Sequence, residues 1–199
     1  MEKKKFFKNR VQMILYSFIF CICMILFIVI GKIDFQKDID TEAKKFHALY
    51  NMVPNENLYA FANSTDVLEI LKGKSGVILM GFPTNVWTNY YAKILNDAGI
   101  ELDLDKIYYY DFKTDREESN GTYETIVNEL KGYVPVFDDG SQDIQAPTVV
   151  VVKSGEILAY FDDTSISHGN ITPDVYYTEN QKGLIYEQFK TAITNYLSR

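Results

Sequence analysis

A run of 20 residues near the N-terminus, Val11 to Ile30, contains no Asp, Glu, Lys, Arg or His. A helix of about 20 apolar residues spans the hydrocarbon core of a bilayer, which is roughly 30 Å thick. The run therefore predicts a transmembrane anchor over residues 11–31. A water-soluble fold has to come from the 168 residues after Gly31, which suffice for one domain with a substantial core.

The charges that flank this run predict its orientation. Residues 1–10 carry five basic groups and one acidic group, whereas the segment after the run is mixed in sign. The positive-inside rule then places the basic segment 1–10 in the cytoplasm and the C-terminal domain outside the cell. The prediction is a single-pass protein of the cell membrane that contacts the lipid bilayer through its anchor.

A cleaved signal peptide is the alternative, because a basic start followed by an apolar run is typical of both. The run is longer than the usual apolar region of a signal peptide, roughly 7 to 15 residues, and no small-x-small cleavage pattern follows it. These two observations favour an anchor that is retained.

The exported part of the chain is acidic. Residues 32–199 hold 15 of the 20 basic and 26 of the 27 acidic residues, which gives them a formal charge of −11. Phosphate binding needs an excess of Lys and Arg, so this balance argues against nucleic acid and against an anionic lipid surface as partners. It favours a cationic peptide or a metal ion.

Both cysteines of the chain, Cys21 and Cys23, lie in the apolar run, where we interpret them as small hydrophobic residues. The exported part has none. It therefore has no internal disulfide, no thiolate metal site and no thiol exchange.

After the anchor, residues 32–56 predict a linker helix and residues 57–199 predict one domain that alternates short apolar runs with amphipathic segments. The order β-α-β-α-β-α-β-β-α implies an α/β fold, a mixed sheet with helices on both faces. The predicted strands are Leu58 to Ala62, Gly76 to Met80, Lys106 to Phe112, Thr148 to Val152 and Ile157 to Phe161. The predicted helices are Asp40 to Asn51, Val67 to Leu71, Thr88 to Ala98, Thr122 to Leu130 and Leu184 to Leu197, with a long loop over Asp162 to Gln181.

Two local motifs resemble those of the thioredoxin-like family. The first reads Gly81-Phe82-Pro83-Thr84-Asn85-Val86-Trp87-Thr88 and resembles the Gly-x-Pro-Thr-Cys-x-x-Cys stretch of bacterial thioredoxin-like proteins, including those described as bacteriocin transport accessory proteins. The second reads Ala146-Pro147-Thr148, followed by a Val run and Lys153-Ser154-Gly155-Glu156, and is similar to the family's cis-proline loop. The resemblance covers Leu58 to Leu197. It implies a thioredoxin-like sheet with a cis Ala146–Pro147 bond facing the Asn85 to Thr88 loop.

The chain departs from this family at the residues that carry its chemistry, because Asn85 and Thr88 stand where the family has its two redox cysteines. In that fold the helix N-terminus lowers the pKa of the first thiol and makes it a nucleophile. Here the helix end offers only its N–H groups, capped by Thr84 or Asn85. The resemblance thus implies the fold and its peptide-binding face, without oxidoreductase activity.

The first functional hypothesis is a non-catalytic peptide-binding or secretion accessory module for an extended or unfolded polypeptide. Its acidic charge favours a cationic partner, and the edge beside a cis-proline can pair with a peptide backbone. In this hypothesis Val86 and Trp87 supply apolar contacts, Asn85 and Thr88 polar ones. No catalytic residue, metal ligand or cofactor is predicted. The predicted binding residues are Thr84, Asn85, Val86, Trp87, Thr88, Ala146, Pro147 and Thr148.

The alternative hypothesis is an extracytoplasmic enzyme that uses carboxylates or a metal ion in its acidic loops. Asp138 to Asp143 places three carboxylates around a glycine turn and could ligate Ca²⁺, although it lacks the spacing of an EF-hand. Asp162-Asp163 with His168 is a second candidate, but adjacent residues of a strand point to opposite faces. We therefore prefer the first hypothesis and leave calcium binding by the Asp138 to Asp143 loop open.

Seven of the 15 tyrosines occur in three clusters, Tyr90-Tyr91, Tyr108 to Tyr110 and Tyr176-Tyr177. Tyrosines favour interfaces because they combine contact area with a polar tip. In a strand that is covered on both faces they are equally suited to a core. We interpret most of them as core residues whose hydroxyl groups each find one partner.

Overall fold

The computed structural model describes residues 41–162 and 171–198, together with six helical N-terminal residues (18, 20–22, 24 and 25). The predicted anchor over residues 11–31 lies largely outside the described residues. Within the part that is described, no helix is both long and apolar enough to cross a membrane. The chain divides into two compact units, Met1–Thr41 and Glu42–Arg199, and the second unit contains the sheet.

The second unit alternates strands and helices in the predicted order, with two additional short helices over Lys113–Glu117 and Pro173–Tyr176. The strands are β1 (Tyr59–Phe61), β2 (Gly76–Gly81), β3 (Ile107–Asp111), β4 (Thr148–Lys153) and β5 (Glu156–Asp162). The helices are α1 (41–49), α2 (Ser64–Leu71), α3 (Val86–Glu101), α4 (Lys113–Glu117), α5 (Gly121–Glu129), α6 (Pro173–Tyr176) and α7 (Glu179–Ser198).

The five strands form one mixed sheet in the order β1-β3-β2-β4-β5. Strands β1, β3 and β2 run parallel, whereas β4 is antiparallel to β2 and β5 is antiparallel to β4. The β4–β5 hairpin turns at Ser154 and Gly155, whose φ angles of 52° and 79° give the left-handed pair that a two-residue hairpin loop needs. The predicted mixed sheet with flanking helices is confirmed.

Each face of the sheet has its own hydrophobic core. The core under α1, α3 and α7 is rich in aromatic residues, and the core under α2 and α5 is smaller. Helix α1, expected to be a linker, buries Ala43 and Phe46, and Tyr50 follows directly after it; Phe46 and Tyr50 belong to the first core. Spacing of three and four residues explains this, since it places all three side chains on one face of a helical segment.

Helices α3 and α7 extend beyond their predicted bounds at both ends. Helix α3 continues past Gly99 to Glu101, so Gly99 does not end it, and the Leu58 side chain packs close to Gly99: a Cβ atom there would lie 2.7 Å from Leu58 Cδ1. Helix α7 begins at Glu179, before the apolar periodicity that predicts it, with a Lys182–Glu179 ion pair in its first turn. The expected loop over Asp162 to Gln181 thus contains α6 and the start of α7.

Candidate functional site

The first motif of the sequence lies in the connection between strand β2 and helix α3. Strand β2 ends at Gly81 and β4 begins at Thr148, and Met80 pairs with Thr148 in register. The loop before α3 and the loop before β4 therefore lie at the same end of the sheet, beyond the end of β2 and the start of β4. The predicted juxtaposition of the two motifs is confirmed at the level of the backbone.

Asn85 joins these two loops through its side-chain amide. Its Oδ1 accepts hydrogen bonds from the backbone N–H groups of Trp87 and Thr88, at 3.0 and 3.1 Å, and so caps α3. Its Nδ2 donates to the carbonyl oxygen of Ala146 at 3.0 Å. The Ala146–Pro147 bond is cis, as the resemblance predicts. Of the two caps that the sequence allows, Thr84 and Asn85, the structure uses Asn85.

Thr88 is turned into the protein and is fully buried. Its hydroxyl donates to Asn85 Oδ1 at 3.3 Å. A Cβ atom on Gly81 would lie 2.6 Å from Thr88 Cγ2, so the absence of a side chain at Gly81 makes the space that Thr88 fills. The role expected for Thr88, a polar contact to a partner, needs an exposed hydroxyl that this packing does not provide.

The eight predicted binding residues are brought together but differ in exposure. Pro147 and Thr148 are buried like Thr88, and the Thr148 hydroxyl donates to the Gln145 carbonyl at 2.7 Å. Asn85, Trp87 and Ala146 are half-buried, whereas Thr84 and Val86 are exposed. The part open to a partner is therefore smaller than the predicted set and mostly apolar, because Val86 is 60% exposed and Trp87 lies next to it.

Trp87 packs against aromatic residues from a distant part of the chain. Its ring lies 5.6 Å from that of Tyr176 and 5.7 Å from that of Tyr177, and Tyr177 stacks on Tyr90 at 4.8 Å. Val175, in the same short helix as Tyr176, is 63% exposed. We call Val86, Trp87, Val175 and Tyr176 the apolar ridge. Sequence analysis missed Val175, since only the neighbouring Tyr176-Tyr177 pair signalled this segment.

Two tyrosines lie beneath the loop. The hydroxyl groups of Tyr50 and Tyr109 are 2.7 Å apart, and Tyr109 donates to the Gly81 carbonyl at 3.5 Å. Burial raises the pKa of both phenols well above the ordinary value, so both are neutral at physiological pH. Asp111, paired in register with Gly81, has a pKa raised by desolvation. These groups hold the loop in place and offer it no activated nucleophile.

The acidic loop of the alternative hypothesis is engaged in its own hydrogen bonds. Asp139 accepts from the backbone N–H and hydroxyl of Ser141, and Asp143 accepts from the Tyr123 hydroxyl. Within residues 41–162 and 171–198, no group of three or more His, Cys, Asp and Glu side chains is arranged to hold a metal ion. Asp163 and His168 lie outside the described residues.

Neither a protein-family model nor a curated protein matches this chain.

Proposed function

We propose that the chain is a membrane-anchored, extracytoplasmic protein of thioredoxin-like fold that binds an extended polypeptide and performs no thiol chemistry. The observation that carries this proposal is Asn85. It occupies the position of the nucleophilic thiol in the family motif, yet it caps α3 and bridges to Ala146 O through one amide. The loop and the proline turn are thus joined by a side chain that cannot exchange electrons.

The fold supports this assignment on grounds that are independent of the motif. Three parallel strands followed by an antiparallel hairpin, in the order β1-β3-β2-β4-β5, with helices on both faces, are what a thioredoxin-like domain requires. Residues 82–85 connect the end of β2 to α3, and the cis Ala146–Pro147 bond precedes β4. The topology therefore supports the same site as the sequence motifs.

The contacts of the loop favour a partner that is bound mainly through its side chains rather than through its backbone. The Ala146 carbonyl already accepts a hydrogen bond from Asn85, which leaves one of its two lone pairs for a partner. The apolar ridge, in contrast, exposes Val86 and Val175, the sequence neighbours of the paired Trp87 and Tyr176. Aromatic and aliphatic groups in this arrangement bind apolar side chains of a partner. The acidic charge of the exported region favours a partner whose other residues are basic.

Trp87 is the only tryptophan of the chain, so its fluorescence reports on the ridge directly. The experiment titrates the full chain, in a zwitterionic detergent, with a heptapeptide of alternating Lys and Val and with its Glu/Val counterpart. We expect the Lys/Val peptide to shift the Trp87 emission and the Glu/Val peptide to leave it unchanged. Val86→Gln should weaken binding about fivefold, because it removes on the order of 1 kcal/mol of apolar contact.

Val136→Gln is the matched control, since Val136 is 66% exposed in a different loop. The proposal predicts that this variant binds like the unmodified protein. Equal effects of the two substitutions, or an equal response to both peptides, would contradict the proposed site.

A further inference from the structure

Strand β5 forms one edge of the sheet and is the longer of the two edge strands. It has seven residues, whereas β1 at the other edge has three. Among the described residues β5 pairs with β4 alone, and Ile157 to Asp162 are each half-exposed. An edge strand of this length presents a row of backbone N–H and C=O groups that can pair with another chain.

One face of this edge is a groove. It has a volume of about 590 Å³ and lies between β5 and α7, with Leu158 and Phe161 on the strand side and Leu184 on the helix side. Leu184 is 56% exposed although it is a large apolar residue. The β-bulge opposite Val151 and Val152 brings Leu158 and Ala159 consecutively to the α7 side, and from Ala159 to Asp162 the ladder is regular.

The opposite face of the edge is also apolar. Tyr133 stacks on Tyr160 of β5, with ring centroids 5.7 Å apart, and remains 48% exposed. A strand added beside β5 would therefore meet apolar surface on both faces, with its alternate side chains directed toward Tyr133 and toward Leu184.

The charges of the groove and of the strand ends select the occupant. Among the described residues that line the groove, Glu187 is the only ionisable one, and β5 begins with Glu156 and ends with Asp162. A second copy of the chain would bring the same acidic groove, with Glu187, against this edge, and like charges disfavour that contact. A strand with basic residues has no such conflict.

We propose that the edge of β5 and its groove bind an extended, cationic segment of a partner protein by strand addition along Ala159 to Asp162. This surface comprises none of the residues of the apolar ridge, and the inference does not rest on the proposed function.

The test uses the full chain in zwitterionic detergent and the Lys/Val heptapeptide as the probe. Amide hydrogen exchange is measured over β5, because backbone pairing slows exchange there and side-chain contact alone does not. We expect a severalfold slower exchange within Ala159 to Asp162. Leu184→Gln and Glu187→Lys should each weaken this protection about fivefold.

Two controls match these variants. Leu197→Gln changes a residue of the same helix that is 47% exposed and does not line the groove, and Glu118→Lys makes the same charge change beside α4. Both should leave the protection of β5 unchanged. Val86→Gln should also leave it unchanged, which separates this surface from the apolar ridge.

Three results would overturn the inference. They are a probe that leaves exchange in β5 unaltered, equal effects of Leu184→Gln and Leu197→Gln, and protection of β5 that rises with protein concentration in the absence of peptide. The last result would identify a second copy of the chain as the occupant.

Discussion

The loop before α3 and the aromatic core beneath it differ in how they are held. Asn85 fixes the loop with a few hydrogen bonds to backbone groups, all near the surface. Phe46, below it, is fully buried, stacks on Tyr59 at 3.7 Å and meets Tyr109 edge-on at 5.0 Å. The core has the larger share of the stabilisation, since apolar burial contributes more per residue than a surface hydrogen bond.

This difference teaches which substitutions the site tolerates. Strand β2, the buried Thr88 and the hydrogen bond of Tyr109 to the Gly81 carbonyl also hold this loop, so we expect a substitution at residue 85 to weaken the loop without loss of the fold. Changes in the core, in contrast, should affect the whole domain.

The largest effect is expected for Phe46→Ala. Removing a buried ring from this cluster should lower the free energy of unfolding by about 3–5 kcal/mol. Leu49→Ala is the control on the same helix, because Leu49 is 43% exposed, and it should cost well under 1 kcal/mol. Urea unfolding of both variants checks the prediction. Equal losses would mean that α1 is a linker outside the core.

Alkaline pH should unfold the domain through its buried phenols. Burial raises the pKa of Tyr50, Tyr59, Tyr109 and Tyr110, and it raises that of Tyr160 to about 12. Their stabilising effect is complete below pH 10, where phenols of the unfolded chain are protonated. Above it each neutral phenol in the fold lowers the unfolding free energy by about 1.4 kcal/mol per pH unit.

Urea unfolding between pH 9 and pH 12, followed by tyrosinate absorbance, measures this slope. Tyr50→Phe should make this slope shallower by about 1.4 kcal/mol per pH unit, which is the contribution of one phenol. A free energy of unfolding that stays constant to pH 12 would show that these hydroxyl groups ionise in the folded protein.

A smaller effect is expected for the cap of α3. Asn85→Ala removes the acceptor for Trp87 and Thr88 and should cost about 1–2 kcal/mol. Asn85→Asp keeps the acceptor but loses the donor to Ala146 O, so it should cost less. Asn63→Ala removes the equivalent cap of α2 and serves as the control: it should destabilise similarly and leave the Trp87 response to peptide unchanged. If Asn63→Ala also lost that response, the response would depend on the stability of the domain in general and not on the contacts of Asn85.

Local pattern was sufficient to predict most elements of the sheet. Gly76 to Met80 is a continuous apolar run, and it forms the central strand β2, fully buried on both faces. Pattern failed where a residue is selected by tertiary packing. Gly99 resembles a helix stop, but it lies within α3 with the Leu58 side chain packed close to it, and the left-handed residue after the helix is Asp103, with a φ of 52°.

The candidate site was predictable in its backbone and less so in its surface. The two motifs gave the loop, the proline turn and the position of Asn85. Nothing local to Trp87 reveals that Tyr176 and Tyr177, about 90 positions later in the chain, cover part of its ring. Likewise, the burial of Thr88 depends on the space left by Gly81, which is a contact between elements rather than a sequence pattern.

The central claim is that this loop has the geometry of a thiol-exchange site without the thiols. The most direct measurement compares two proteins in which Cys21→Ala and Cys23→Ala remove the native thiols, one of them also carrying Asn85→Cys and Thr88→Cys. The first should show no reduction of an insulin-type disulfide. The second should form an internal disulfide and gain thiol exchange, because its first thiol lies at the N-terminus of α3. Thiol-independent activity in the first protein, or two thiols in a folded second protein that do not close, would contradict the claim.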